Sequence, residues 1–521
     1  MKTRIAAAGV LALMVLAAPA CTDLTEVPTS AITPENFYRN SDEALGGLAS
    51  VYAQLRTTND EYYNISEIST DEMIVPTRGQ DWFDNGKWLD IHRQTFGPNS
   101  PAGLDNINSA WTNLFIGVAR ANVVLNGITN ASFTGKATMT AELRALRALY
   151  YYMLMDAFGG VPIVEEPTIQ TRAQNTRAEV FAFVESELKA ARPDLPATWP
   201  QNMNGRFTQG AVDAILASLY LNAQVFTGTV TAAGLQPGTQ RWQDALTTAN
   251  AIITSGTYTL STDANQSCTP FGCGWRKNFT ADNNLNPEVI FAVKYLAVTD
   301  IGLNFLMRAL HYNQYSGSEA PWNGFSTLAD TYAAFDPQDR RVQIFLAGNQ
   351  VNLATGAQAF DRQGNPLVFD PNIPDVTAAT EGQGVRIDKW PIDPNHVARN
   401  NGNDYAWFRL GEMYLIRAEA NNELGNTAAA IADINLLRAR VFSPAKPTTA
   451  VTQAQLRDAI LNERLFEMTA EGKRRQDLIR AGKFTSGTWY AKTTNTPFRV
   501  LFPIPQTQIE TNPLLVQNPG Y

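Results

Sequence analysis

Trp407-Phe408-Arg409-Leu410-Gly411-Glu412-Met413-Tyr414 is the stretch on which the fold turns. Its Trp-x2-Leu-Gly-x2-Tyr spacing matches the front half of the tetratricopeptide signature. After a break at Gly425-Asn426, Ala430, Ile431, Ile434 and Leu437 fall on one face of a second helix. The back half of the signature is out of register, so the repeat is degenerate. Units of this kind stack so that each buries its neighbour's apolar face, and they serve as scaffolds rather than active sites.

The same period extends outward. Paired helices at about 111–158 and 208–254 are candidate sister units of 404–440. Trp111, Leu114, Phe115, Val118 and Leu125 share one face. Leu143, Leu146, Tyr150, Met153 and Ala157 share another, and that helix stops at Gly159-Gly160 ahead of Pro162. Earlier, Ala44, Leu45, Leu48, Val51, Tyr52 and Leu55 follow the capping and acidic residues Ser41-Asp42-Glu43. A further helix is expected at about 176–190, and Thr452-x-x-Gln455 reads as a capping box opening one more. Between about 260 and 400 the periodicity fades, and Asn, Asp, Gly and Pro cluster. Only short strands are expected there, at Val289–Val293 and Leu367–Phe369. Long irregular segments inside an ordered protein usually carry function, so specificity is expected here.

The chain has 521 residues, 44% hydrophobic and only 17% charged, with 49 acids against 41 bases. A net charge of −8 without a basic run argues against nucleic-acid binding. A mean hydropathy of −0.20 excludes a multi-span membrane protein. Lys2 and Arg4 precede an apolar run from Ile5 to Ala18 and then Pro19-Ala20-Cys21, which together form a secretory signal. Ala18-Pro19-Ala20 fits ordinary cleavage, whereas Ala20-Cys21 fits a bacterial lipobox with Ala18 in place of the usual leucine. The polar, proline-containing tether from Thr22 to Pro28 favours lipidation of Cys21. Cys268 and Cys273 flank Thr-Pro-Phe-Gly, and a local disulfide is expected in an exported protein. The metal reading of this pair needs more ligands, and His92, His311 and His396 are all distant in sequence.

Two constellations compete for function. Glu463, Glu467 and Glu471 are four apart and share a helical stripe between apolar arcs, which suits paired carboxylates of a glycosidase. The alternative is a structural network with Arg464, Arg474 and Arg480, and the near balance of charge favours it. No G-x-S-x-G, P-loop, G-x-G-x-x-G or H-E-x-x-H occurs. Asp282-x-Asn284-x-Asn286 opens like a calcium loop, but Pro287 replaces the required glycine. The second constellation is aromatic: Trp82, Phe83 and Trp88 in a polar stretch, and Trp275, Tyr312, Tyr315 and Trp322 in the loop-rich middle beside Asn313, Gln314 and Asn323. Flat rings beside amides and hydroxyls suit a sugar. The competing reading packs these rings under the loops.

Taken in order, several motifs resemble the SusD/RagB family of outer-membrane nutrient-uptake lipoproteins. They are Cys21-x-Asp23-Leu24, Arg144-Ala-x-Arg147-Ala-x-x-Tyr-Tyr, Phe158-Gly-Gly-Val-Pro162, Arg409-x-x-Glu412-x-Tyr414-Leu415-x-x-Ala418-Glu419-Ala420, Glu463-Arg464, Glu471-Gly472-x-Arg474-x-x-Asp477-Leu478-x-Arg480, Phe502-Pro-Ile-Pro505 and Gln517-Asn-Pro-Gly-Tyr521. Arg475 departs from the family pattern, which often has an aromatic there. The resemblance implies a mostly α fold: a tetratricopeptide-like helix-pair scaffold with an irregular, loop-rich ligand-binding half containing short strands. The expected organisation is a signal peptide (1–20), a lipid-anchored tether (21–40), an N-terminal helical region (41–260), a loop-rich ligand side (261–400) and a C-terminal helical region on the same scaffold (401–521). The implied function is non-catalytic, without a cofactor. A surface-exposed outer-membrane lipoprotein captures oligosaccharide or other nutrient fragments and delivers them to a SusC-like TonB-dependent transporter. Trp82, Trp322, Tyr312 and Tyr315 are the expected ligand-binding residues, on chemistry and approximate position. The competing classes are an exported glycosidase using carboxylates among Glu463, Glu467 and Glu471, and a structural or adhesive surface protein.

Overall fold

The computed structural model describes residues 37–168, 170–266, 274–315 and 317–521. The signal segment, Cys21, most of the tether, Cys268 and Cys273 lie outside the described residues.

Among the described residues, the helices of seven residues or more are α1 (Ser41–Ile68), α2 (Asn108–Gly127), α3 (Lys136–Phe158), α4 (Arg177–Ala191), α5 (Gln209–Leu221), α6 (Trp242–Thr254), α7 (Leu410–Glu423), α8 (Thr427–Ala439), α9 (Gln453–Met468) and α10 (Arg474–Arg480). Local chemistry sets several of their ends. The α1 cap is Asn40 rather than Ser41: its Oδ1 accepts from the backbone N–H groups of Asp42 and Glu43, both at 3.0 Å. Thr176 with Glu179 and Thr452 with Gln455 form capping boxes. α3 stops at Gly159, whose φ of 77° favours glycine.

The helices stack in succession. α1 packs on α2, α2 on α3, α3 on α4, α5 on α6, and α7 on α8 and α9. α6 also packs on α7, although they are far apart in sequence. The loop-rich segment is therefore an insertion between two stacked neighbours, and the helical layer continues beneath it. α3 runs through the middle, with nearly every residue from Ala141 to Phe158 buried. Trp407, which opens the repeat signature, stands on a strand, Tyr405–Arg409, paired antiparallel with Val289–Val293; the helix begins at Leu410. The remaining strands within the insertion are two residues long.

The last part of the chain closes on the first. Backbone N–H groups of Ala470 and Gly472 donate to Glu72 and Glu67 at the end of α1, across 398 and 405 residues of sequence. Arg474 pairs with Asp71, and the Tyr521 ring lies against Phe96 and Phe498. Arg475, where an aromatic was expected, is buried and donates to Asp156 at 2.9 Å while its guanidinium covers the Phe502 ring.

Candidate functional site

The carboxylate stripe is sealed. Glu463, Glu467 and Glu471 are at most 2% exposed. Glu467 meets Arg341 at 3.0 Å, Arg409 at 2.5 Å, the Trp275 indole N–H at 3.0 Å, and Arg440. Glu471 accepts from Arg409 Nε at 2.8 Å and from Lys389 at 2.5 Å, and Glu463 pairs with Arg341 and Arg438. The expected partners Arg464, Arg474 and Arg480 bind elsewhere: Arg464 to Asp477, Arg474 to Asp71, and Arg480 to Glu419 and Asp477. Helix geometry explains this. Arg464 points about 100° away from Glu463, and Arg474 and Arg480 stand on a separate helix. The true partners arrive from the insertion and from residues 409–440. Gly411 makes the room: a Cβ there would lie 2.5 Å from Arg409 Nη1 and 2.9 Å from Glu467 Oε1. Burial pushes the Glu467 carboxyl up, but Arg440, Arg409 and Arg341 outweigh it and hold it well below the usual carboxylate range. Glu471 is likewise held low, chiefly by Arg409 and Lys389 against burial. Glu467 and Glu471 are held in the charged form, and all three carboxylates are closed to solvent and bound to cations, which removes the basis for reading them as acid and base. Trp275, at 6% exposed, belongs to this network and not to a ligand face.

Beside the network lies a pair the motifs did not reveal. Glu67 and Glu72 are buried together, and burial is the main force raising both carboxyls, Glu67 to about 7. The Glu67 carboxylate adds to the cost of ionising Glu72, while a hydrogen bond from Glu72 favours the charged form of Glu67.

The aromatic constellation is different. Trp82 is half-buried; its indole N–H donates to the Trp322 carbonyl at 2.6 Å, and its ring lies against Trp88 and Phe325. A Cβ at Gly324 would lie 2.3 Å from that ring, so glycine is what lets the indole lie flat there. Among the described residues, positive φ clusters at Trp82, Asp84, Asn85 and Asn323, a strained backbone of the kind that gathers at ligand sites. Tyr312 donates to Asp81 at 2.5 Å, with Arg362 4.4 Å over its ring. Burial and the Asp81 carboxylate push the Tyr312 hydroxyl up. Arg362 also pairs with Asp81 at 3.1 Å and with Glu381, which meets His311 Nε2 at 2.9 Å.

Trp82 is thus tied to Trp322 through the latter's backbone carbonyl, and Tyr312 to Asp81, the residue before Trp82. Tyr315 is not part of that set: it packs on His396, whose Nδ1 lies 2.8 Å from the Ala398 carbonyl, leaving Nε2 for the Tyr315 hydroxyl. Of the other early rings, Trp88 is buried and bonds Asp84, while Phe83 is 57% exposed. A cleft of about 750 Å³ adjoins Arg362 and is lined by Arg78, Asn365, Thr380 and Glu381. Phe360 and Val368 are exposed near it. Sequence reading missed Arg362, Glu381 and Phe360. None sits in a motif, and only the turn residues Asp361 and Gly364 signalled a loop there. Among the described residues no group of three or more His, Cys, Asp or Glu could hold a metal ion. Asp282, from the calcium-like stretch, is paired with Lys277.

The sequence model of the SusD family matches residues 287–521, and a second, described as starch-binding associating with outer membrane, matches 42–221. The chain belongs to the SusD/RagB family. Among relatives, SusD-like protein P25 of Formosa agariphila is 23% identical, covering 96% of each chain. Starch-binding protein SusD of Bacteroides thetaiotaomicron is 26% identical over 88% of this chain and 85% of its own. The SusD/RagB fold is equally plain among solved structures. A SusD superfamily protein from Parabacteroides distasonis superposes with a TM-score of 0.73 at 20% identity, covering 92% of this chain and 99% of that one. Surface glycan-binding protein A of B. thetaiotaomicron, in complex with laminarihexaose, gives 0.70 at 20%, with 92% and 99% covered.

Proposed function

We propose that this protein is a non-catalytic, outer-membrane-associated lipoprotein that binds glycan fragments on the face formed by Trp82, Trp322 and Tyr312 and passes them to a TonB-dependent transporter. The observation that carries the reading is the tie of Trp82 to the Trp322 backbone carbonyl, 240 residues on, and of Tyr312 to the neighbouring Asp81, with Arg362 over the Tyr312 ring at the edge of an open cleft. Half-buried rings offer an apolar face to sugar C–H groups, and amides and charged edges meet the hydroxyls. Family membership, a starch-binding relative and a fold shared with a laminarihexaose-bound protein support it. The lipid anchor at Cys21 and the transporter partner rest on the N-terminal sequence and the family.

Calorimetric titration of the mature chain with starch- and laminarin-derived oligosaccharides tests the binding reading. Micromolar-to-millimolar binding, weakened in Trp322→Ala, is expected; no binding of any neutral or charged glycan refutes it. Co-purification from membranes of a barrel transporter, with acyl label on the wild type and not on Cys21→Ala, tests delivery and anchoring.

A further inference from the structure

A second cleft, sharing no lining residue with the one beside Arg362, opens between the 197–208 segment and the 283–294 segment, with a volume of about 230 Å³. Thr198, Gln201, Asn204 and Asn284 stand at its exposed rim, and the half-buried rings of Trp199 and Tyr258 lie further in. Gly205, at a φ of 95°, abuts the Lys294 stem and brings the two segments together.

Its charges are already spent. Arg206 donates to Glu142 through Nε at 3.0 Å and lies 4.0 Å over the Trp199 ring, and Lys294 pairs with Asp404. The lining therefore offers no free ion for a charged ligand, yet it is too rich in amides and hydroxyls for an apolar one. Asn286, 8% exposed, also lines it. Its Oδ1 accepts from the Glu288 backbone N–H at 2.9 Å and from Ser261 Oγ at 2.8 Å, which fixes the amide's orientation. Its Nδ2 is buried and has no partner among the described residues. An orphaned buried donor is costly unless something accepts from it.

We propose that this cleft is a second binding site, for a single neutral sugar ring, held by stacking near Trp199 and by hydrogen bonds from the asparagines. A small neutral polyol is what such a lining accepts: donors and acceptors around its edge, an apolar face, and no charge. The site is independent of the loop face.

Ligand-observed NMR titration of the mature chain with glucose, galactose and mannose, and with glucuronate as the charged comparator, tests this. Thr198→Trp fills the mouth from an exposed position, so its melting curve should match the parent. Tyr312→Ala disables the loop face instead. Millimolar binding of at least one neutral hexose is expected, unchanged within about twofold in Tyr312→Ala and weakened at least tenfold in Thr198→Trp. Binding of none of the three, retention in Thr198→Trp, or tenfold preference for glucuronate overturns the proposal. Loss in Tyr312→Ala with retention in Thr198→Trp also overturns it, while leaving the loop-face reading standing.

Discussion

The molecule uses arginine–carboxylate clusters in two places, and to opposite ends. Around Glu467, the three arginines Arg341, Arg409 and Arg440 and their carboxylates are at most 3% exposed. Around Tyr312, Arg362 is 50% exposed and Asp81 40%. The residue types are the same, and what separates the clusters is access. A buried cluster must satisfy itself completely, since an uncompensated charge there is expensive; an open one keeps spare hydrogen-bonding capacity for a ligand. Acid–arginine chemistry in a sequence therefore indicates function only once its burial is known.

The largest effect expected from breaking that contrast is in the sealed cluster. Glu467→Gln leaves three guanidinium groups under-compensated and should cost about 3–5 kcal/mol in denaturant unfolding. Glycan affinity in the surviving folded fraction should be unchanged. Abolished affinity with intact stability would reverse the assignment of the two clusters.

The Glu67–Glu72 pair gives the next effect, through pH. Its carboxyls are raised in the folded state, so their contribution is whole below about 4.5, where the unfolded chain is also protonated. The Glu67 share is lost as pH rises from about 4.5 toward about 7. Glu67→Gln should flatten the fall in stability across that window, a change on the order of 2–3 kcal/mol in denaturant unfolding, while leaving the loss at lower pH alone. The acid side belongs to Glu467 and Glu471, whose carboxyls are lowered and whose stabilisation disappears as pH falls. An unchanged pH profile in the variant would show that the pair is not the source.

On the loop face, Trp322→Ala should weaken glycan binding by about 1–3 kcal/mol. The Trp82–Trp322 bond uses the backbone carbonyl of Trp322 and so survives that truncation. Trp82→Ala should weaken binding too but also lower the melting temperature, because its ring packs on Trp88 and Phe325. Equal stability losses in both variants, with affinity intact, would mean that these rings only pack. The smallest effect is expected for Arg457→Ala, whose partner is Glu423 on the outer surface: about 0–1 kcal/mol.

The helical layer was legible because it is periodic. The helix near 176–190 was expected within a residue or two, and the Thr452 capping box by its spacing. Trp407 was misplaced onto a helix because the repeat signature carries no mark for the strand pairing that claims Tyr405–Arg409, a contact with residues more than a hundred positions earlier. The partners of the carboxylate stripe were misassigned for the same reason: sequence shows neighbours along the chain, and Arg341 and Lys389 come from the insertion. At the ligand face, the rings stood out by type, yet their burial did not. Trp275 and Trp322 read alike in sequence, and one is bound to Glu467 in the core while the other is half-exposed beside a cleft.

The closure of the chain's last part on α1 bears on how the protein is made. Synthesis runs from the amino end, so α1 emerges long before Ala470, Gly472 and Arg474, which supply the hydrogen bonds to Glu67, Asp71 and Glu72 at its end. Until they arrive, Glu67 and Glu72 lack the backbone donors that hold them, and the end of α1 stays open. Contacts of such long sequence separation are slow to form and leave apolar surface exposed meanwhile. A polypeptide wired this way commits to its native state only when nearly all of it is present, so an interrupted chain lacking its final fifty residues should remain a substrate for proteases and holding chaperones rather than settle as a smaller stable domain.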